Sequence, residues 1–231
     1  MSGQAEWAIT VPFRSLEVAK TRLAVACRED LALAFLRDTL AALAASPHIS
    51  SVVVVSRDTE LSETIGVPVI EDQGSGIDDA VVTGQRWLRD LGHQGDYAVI
   101  LPDLPALRTI DVDTALGAAS RLPRTFVPDS TGKGTTFLTT RQDTFSTAFG
   151  NDSAQRHVGL GYHPILLGVP SLRQDVDTID DLARAARMGV GRHTQRLLTT
   201  NDELQSFSLD AHRAPHSCTG IVQKRRLRRT L

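Results

Sequence analysis

No apolar run in this 231-residue chain approaches the ~20 residues needed to cross a bilayer, so no membrane span is expected. Met1 to Glu6 is short and polar, without a basic stretch followed by an apolar one, so no secretion signal is expected either. Cysteine is scarce. Cys27 and Cys218 lie far apart and match no metal-ligand spacing, which predicts two free thiols in a reducing cytoplasm. The serine elbow, the zinc-binding helix and paired Cys/His signatures are all missing. Their absence suits a reaction whose nucleophile is already an anion. A phosphate monoester, with a second pKa near ~6, needs no general base at neutral pH. What it needs is charge neutralisation and in-line positioning.

What the chain does contain is a balanced globular composition. It is 41% hydrophobic with a formal net charge of -2, which predicts one soluble domain over residues 1–210. Residues 211–231 form a basic tail carrying Lys224, Arg225, Arg226, Arg228 and Arg229. Such a tail suits an anionic surface or a solvated, frayed end. No aromatic residue interleaves with these cations, which argues against nucleic acid.

Strand and helix patterns alternate. Trp7 to Phe13, Ser51 to Ser56, Val67 to Ile70 and Tyr97 to Leu101 read as strands. The Ser51–Ser56 run is β-branched on both faces, as a central parallel strand should be. Leu31 to Ala45, Asp58 to Ile65, Asp78 to Leu91 and Asp111 to Leu122 read as helices. Thr125 to Pro128 and Thr135 to Thr140 are strands about a glycine turn. Asp152 to Val158, Thr178 to Met188 and Thr194 to Thr199 are the last helices. Such alternation predicts an α/β fold with a mostly parallel, doubly wound sheet and a small antiparallel addition.

Asp103 follows the apolar run Tyr97-Ala98-Val99-Ile100-Leu101 and opens a proline-stiffened turn, Asp103-Leu104-Pro105. A carboxylate at the end of a central strand sits where open α/β sheets bind ligands. Together with Asp175 and Asp177 it could hold a divalent metal over a phosphate substrate; alternatively it caps a turn or helix. Arg14, Lys20 and Arg22 follow the first strand and read as a triphosphate clamp or as a solvated basic loop. Gly74-Ser75-Gly76-Ile77-Asp78-Asp79 fails as a dinucleotide fingerprint, because Asp79 stands where Gly or Ala belongs. Asp129 and Gly132-Lys133-Gly134-Thr135-Thr136 make a hairpin or an anion site. In Gly150-Asn151-Asp152-Ser153, either Ser153 or Asp152 is only an N-cap, or the helix start offers donors to a phosphate or carboxylate. His157 reads as structural.

In their order, these segments resemble the CofC/FbiD family of guanylyltransferases. The likeness runs from Trp7 to about Gly191. It rests on Val11 to Leu23, Asp103 to Leu107, Asp129 with Gly132 to Thr135, Phe149 to His157, and Asp175 to Thr178. The resemblance implies a nucleotidyltransferase fold of the nucleotide-diphospho-sugar transferase type, with GTP as substrate and Mg2+ as cofactor. Carried over residue by residue, it implies Asp103, Asp175 and Asp177 as metal ligands. Thr135, Gly150 and Ser153 would hold the phospho-acid. Arg14, Lys20 and Arg22 would face the GTP phosphates, with Lys20 and Asp103 catalytic and Asp78 beside the nucleotide. Three positions depart from the family pattern. Arg14 replaces lysine, Pro102 replaces a glycine and so loses an N–H, and Asp78 replaces an asparagine amide.

The expected reaction is transfer of GMP from GTP to the phosphate of a three-carbon phospho-acid, in the making of the deazaflavin coenzyme F-420. Phosphoenolpyruvate is the favoured acceptor; 2-phospho-L-lactate and 3-phosphoglycerate are the alternatives. Product hand-over to the next biosynthetic enzyme is a further expectation. A related enzyme for another phosphorylated metabolite and a degenerate nucleotide-binding regulator are the competing readings, and retention of all three carboxylates argues against the regulator.

Overall fold

The computed structural model describes residues 7–13, 23, 25–74, 76–142, 144–166 and 168–205. Seven strands form one sheet: β1 (Trp7–Pro12), β2 (Ile49–Ser56), β3 (Val69–Glu71), β4 (Asp96–Ile100), β5 (Arg124–Pro128), β6 (Thr135–Thr140) and β7 (His163–Pro164), in the spatial order β3-β2-β1-β4-β6-β5-β7. β1 is parallel to both neighbours, with Thr10 opposite Val53 of β2 and Val99 of β4. The parallel half ends at β4. β6 runs antiparallel to β4 and β5, the expected antiparallel addition, and β7 lies parallel to β5.

All six residues of β1 are buried, and their side chains divide between the sheet faces with the strand period of two. Ile9 and Val11, with Ala98 and Ile100 of β4, pack under α1 (Arg28–Ala44) and α4 (Thr109–Ala119). Ala8, with Tyr97 and Val99, packs against Val81 and Leu88 of α3 (Ile77–Asp90) and against Phe145 and Phe149. Between β3 and α1 in space, a 3-10 turn at Thr59–Leu61 leads into the short α2 (Ser62–Ile65). α5 (Ser153–Gly159) precedes β7. A third core, built on Leu31 and Phe35 of α1, takes Leu182 of α6 (Ile179–Met188) and Leu198 of α7 (Arg192–Thr200).

Two elements escape sequence patterning. β7 is only two residues long and contains a proline, so it shows no period; it is an edge strand, where a missing N–H is tolerated. The 3-10 turn Pro170–Leu172 is likewise too short to show one. The strand expected at 67–70 is shifted to Val69–Glu71, its ladder to β2 starting only at Val54 opposite Val69.

From β1 the chain winds outward through β2 to β3, then returns to β4 on the other side of β1. This reversal opens a crevice outside the carboxyl ends of β1 and β4, the usual ligand site of an open α/β sheet. Phe13 and Asp103 follow those two ends. Among the described residues no helix is long and apolar enough to cross a membrane.

A long-range cap pins α7 to α1. Asp38 of α1 is buried and accepts hydrogen bonds from the His193 and Thr194 N–H groups at 3.0 and 2.8 Å, capping α7. A Cβ on Gly191 would lie 2.4 Å from the Asp38 carboxyl carbon, so glycine is required for this approach. Asp38→Ala is expected to cost about 1–2 kcal/mol, as lost N-caps do. A thermal melt unchanged from wild type would contradict this role.

Candidate active site

Asp103 sits three residues past β4, in a turn braced from α1. The Thr39 hydroxyl, fully buried, lies 3.2 Å from the Pro102 carbonyl and 3.4 Å from that of Leu104. α4 starts only at Thr109, with Arg108 at its N-cap, so Asp103 does not cap that helix. Asp175 and Asp177 arrive from the far end of the chain. The Val176 N–H donates to the Asp103 carbonyl at 3.1 Å, tying the two acidic segments directly. Arg173 fastens the same segment to β5 by donating to the Pro128 and Asp129 carbonyls at 3.0 and 2.9 Å. On the other side, Thr178 and Asp181 form a reciprocal capping box that starts α6.

The result is a concentration of negative charge. Burial, followed by the carboxylates of Asp103, Asp129 and Asp177, pushes the Asp175 carboxyl up to about 8. A half-buried acid facing three others is a place where a cation is electrostatically favoured, and carboxylate oxygens are the donors magnesium prefers. Among the described residues no three His, Cys, Asp or Glu side chains are gathered closely enough to enclose an ion. The two observations agree with one kind of site. Magnesium commonly takes one or two carboxylates and completes its shell with water and substrate phosphate. The donor set fits such an ion in chemistry.

Of the two readings of the Asp129 segment, hairpin or anion site, the structure shows that Asp129 builds the hairpin. Its carboxylate accepts from the Thr131 hydroxyl at 2.8 Å and from the Lys133 and Gly134 N–H groups at 3.0 and 2.9 Å. Its contribution to the acidic cluster is a tertiary fact. The hairpin then meets α5, where the Ala154 N–H donates to the Lys133 carbonyl at 2.9 Å. Thr135 and Thr136 part company here. The Thr136 hydroxyl is turned inward to the Leu172 carbonyl at 2.6 Å, so it serves the core. The Thr135 hydroxyl pairs with His157 Nδ1 at 2.9 Å.

Gly150 has φ +105°, a conformation that favours glycine, and its added Cβ would lie 3.1 Å from the Arg156 guanidinium. Arg156 Nη2 donates to the Phe149 carbonyl at 2.8 Å. Asp152 occupies the N-cap position of α5 in a left-handed conformation, φ 53°, with no side-chain capping bond. Ser153 is the first helical residue, so the capping alternative fails for both. Asp78 reaches the same loop, its Oδ1 accepting the Phe149 N–H at 3.0 Å. The acidic cluster, the hairpin and the Gly150–Ser153 corner are thus linked in one region. Arg14, Lys20 and Arg22 lie outside the described residues, as do Cys218 and the tail 211–231.

The family model described as guanylyl transferase CofC like matches residues 7–200. The chain belongs to this family. It is therefore a guanylyltransferase, an enzyme. It is 70% identical over 207 residues to a protein of Rhodococcus jostii (strain RHA1) named phosphoenolpyruvate guanylyltransferase 2, covering 90% of this chain and 97% of that one. A phosphoenolpyruvate guanylyltransferase of Streptomyces coelicolor is 39% identical over 199 residues, 82% of this chain and 94% of that one. Among solved structures, a protein of nucleotide-diphospho-sugar transferase type from Desulfovibrio desulfuricans G20 superposes with a TM-score of 0.68. It is 20% identical and covers 88% of this chain and 98% of that one. A 4-diphosphocytidyl-2C-methyl-D-erythritol synthase from Anaerococcus prevotii matches with a TM-score of 0.53 at 10% identity, over 79% and 95% of the two chains. At these identities the likeness shows the fold, which is of the nucleotidyltransferase type.

Proposed function

We propose that this guanylyltransferase moves GMP from GTP to the phosphate of phosphoenolpyruvate and releases pyrophosphate. The acceptor assignment draws on the names of the relatives. The geometric support is one juxtaposition, an acidic cluster joined through the Asp129 hairpin to a corner built of Thr135, Gly150 and Ser153. An acceptor phosphate oxygen attacks the α-phosphorus of GTP, forming a P–O bond as the bond to the β-phosphate oxygen breaks. Near neutrality that acceptor oxygen is already anionic, so no side chain need remove a proton from it.

One or two of the carboxylates of Asp103, Asp175 and Asp177 would hold magnesium directly and the remainder would act through its water shell; when bound, the ion neutralises phosphate charge and polarises the phosphorus. Thr135, Gly150 and Ser153 orient the acceptor through hydroxyl and N–H donors. Arg14, Lys20 and Arg22 would bind the triphosphate through their positive charge, with Lys20 the catalytic member of the three. The product is a mixed phosphoanhydride, suited to direct hand-over to the next enzyme of deazaflavin coenzyme F-420 formation.

Pyrophosphate release with GTP, magnesium and each of three acceptors tests the reading, coupled to the next enzyme so that product is drawn off. Phosphoenolpyruvate is expected to be fastest. Faster turnover with 2-phospho-L-lactate or 3-phosphoglycerate, or none with any, would overturn it.

Asp78 joins both substrates in this reading. Asp78→Asn keeps an oxygen to accept the Phe149 N–H and removes a charge beside the triphosphate. Calorimetry at fixed magnesium is expected to show GTP binding severalfold tighter and acceptor binding unchanged. Asp78→Ala frees the Phe149 N–H and is expected to weaken the acceptor. Identical behaviour of both variants and wild type would show that Asp78 holds the loop without acting on either substrate.

A further inference from the structure

Residues 145–150 cross the site as irregular chain, and side chains from elsewhere capture their N–H groups. Gln85 Oε1 accepts from Phe145 at 3.1 Å, His157 Nε2 from Ala148 at 3.1 Å and Asp78 Oδ1 from Phe149 at 3.0 Å. His157 alone of the three also reaches a residue of the acceptor corner, through Thr135. Its ring is fully buried, with the Phe149, Tyr162 and Phe126 rings at centroid distances of 5.1, 5.4 and 6.0 Å.

The two ring nitrogens have unequal partners. A backbone N–H can only donate, so the Nε2 facing Ala148 must present its lone pair. An imidazolium would set two N–H groups against each other there. Burial, opposed by Asp78 and assisted by Arg156, pushes this imidazole down to about 4, so it is neutral near pH 7. A neutral ring with a bare Nε2 carries its proton on Nδ1. Nδ1 therefore donates to the Thr135 hydroxyl oxygen, 2.9 Å away. His157 is the only side chain bonded to that hydroxyl among the described residues. With the oxygen accepting from His157, the hydroxyl's own proton is directed to a different acceptor.

We propose that His157 is a positioning residue which, by holding its proton on Nδ1, makes the Thr135 hydroxyl a donor aimed at an anionic oxygen of the phospho-acid. This rests on the reading in which Thr135 lines the acceptor site. Phosphate and carboxylate oxygens only accept, so a hydroxyl free to turn either way binds them less well than one with its donor direction set. The same ring also accepts the Ala148 N–H, two residues before Gly150.

A double-mutant cycle on acceptor KM distinguishes this role from simple support of the fold. His157→Phe is expected to raise the acceptor KM about tenfold with little change in the KM for GTP. In a Thr135→Val background the same change should add no more than about twofold, because the hydroxyl it orients is gone. His157→Asn, which can return a donor near Thr135, should recover part of the loss. Additive effects, or a His157→Phe enzyme with wild-type acceptor KM, would overturn the proposal. Nitrogen-15 NMR of the histidines in the wild-type protein gives a readout that needs neither turnover nor a folded variant. A proton on Nδ1 of His157 at pH 7 is expected; a proton on Nε2, or an imidazolium, would overturn the role even if wild-type turnover is normal. Loss of the acceptor assignment would instead appear as wild-type enzyme inert with phosphoenolpyruvate.

Discussion

Asp175→Asn is expected to lower turnover by two orders of magnitude or more while leaving the fold intact. Asp103→Asn and Asp177→Asn should act in the same direction, with Asp177 the mildest because it is the exposed member. Each change removes a carboxylate charge at nearly constant volume. The transition state for phosphoryl transfer depends chiefly on charge neutralisation and alignment, so the loss falls on turnover. Undiminished magnesium-dependent turnover in all three variants would refute the metal assignment.

A second consequence concerns stability. In the metal-free protein the Asp175 carboxyl titrates near about 8 rather than at its ordinary 3.8. A raised carboxyl binds its proton more tightly in the folded state than in the unfolded one. Its contribution to stability is therefore full below the ordinary value and is lost as pH rises through the folded one. Between about pH 4 and 8 the metal-free wild type should lose stability from this group. Asp175→Asn, always neutral, should flatten that slope and melt higher than wild type at pH 8. Magnesium should raise the wild-type melting temperature at pH 8 and do little for the variant. Parallel melting profiles for the two proteins, with and without magnesium, would show that this cluster does not couple to the cation.

Ser153→Ala and Thr135→Val form the second large expectation. Each removes a hydroxyl from the acceptor corner, and a hydrogen bond to a charged group is worth about 1–3 kcal/mol. The apparent KM for phosphoenolpyruvate should rise about fivefold to 150-fold, with the KM for GTP nearly unchanged. Initial rates with each substrate varied in turn would check it. Equal effects on both substrates, or an effect confined to GTP, would contradict the placement. Thr136→Val is the internal comparison. Its hydroxyl meets the Leu172 carbonyl inside the protein, so its loss should appear as lower thermal stability without selective loss of acceptor affinity.

Local patterning carries much of this protein. The β-branched run of β2 and the apolar run ending at Asp103 are strands because their side chains bury on both sheet faces. The amphipathic period of residues 178–188 is a helix for the equally local reason that one face is apolar. Asp103 was legible because it stands at the punctuated end of such a run, and Asp175 and Asp177 as an acidic pair two residues apart; the family resemblance added their roles. What the sequence could not decide is how side chains far apart in the chain would be used. Asp78 and Phe149 are separated by 71 positions, and Asp38 and Thr194 by 156. Nothing in local periodicity distinguishes a helix-start aspartate left in water from one that holds a loop. The same holds for Asp129, a turn residue by sequence whose charge acts on Asp175 only because Arg173 and the Asp103–Val176 bond draw the segments together. His157 shows the limit most clearly. The sequence marks it only as a histidine near a helix end, whereas its protonation and donor direction follow from burial and from one amide placed against Nε2. Strand and helix identity is settled within a few residues by backbone sterics and burial period. Electrostatic identity is settled by which groups meet in a low-dielectric interior, and that is decided only when the sheet closes and the distant segments pack.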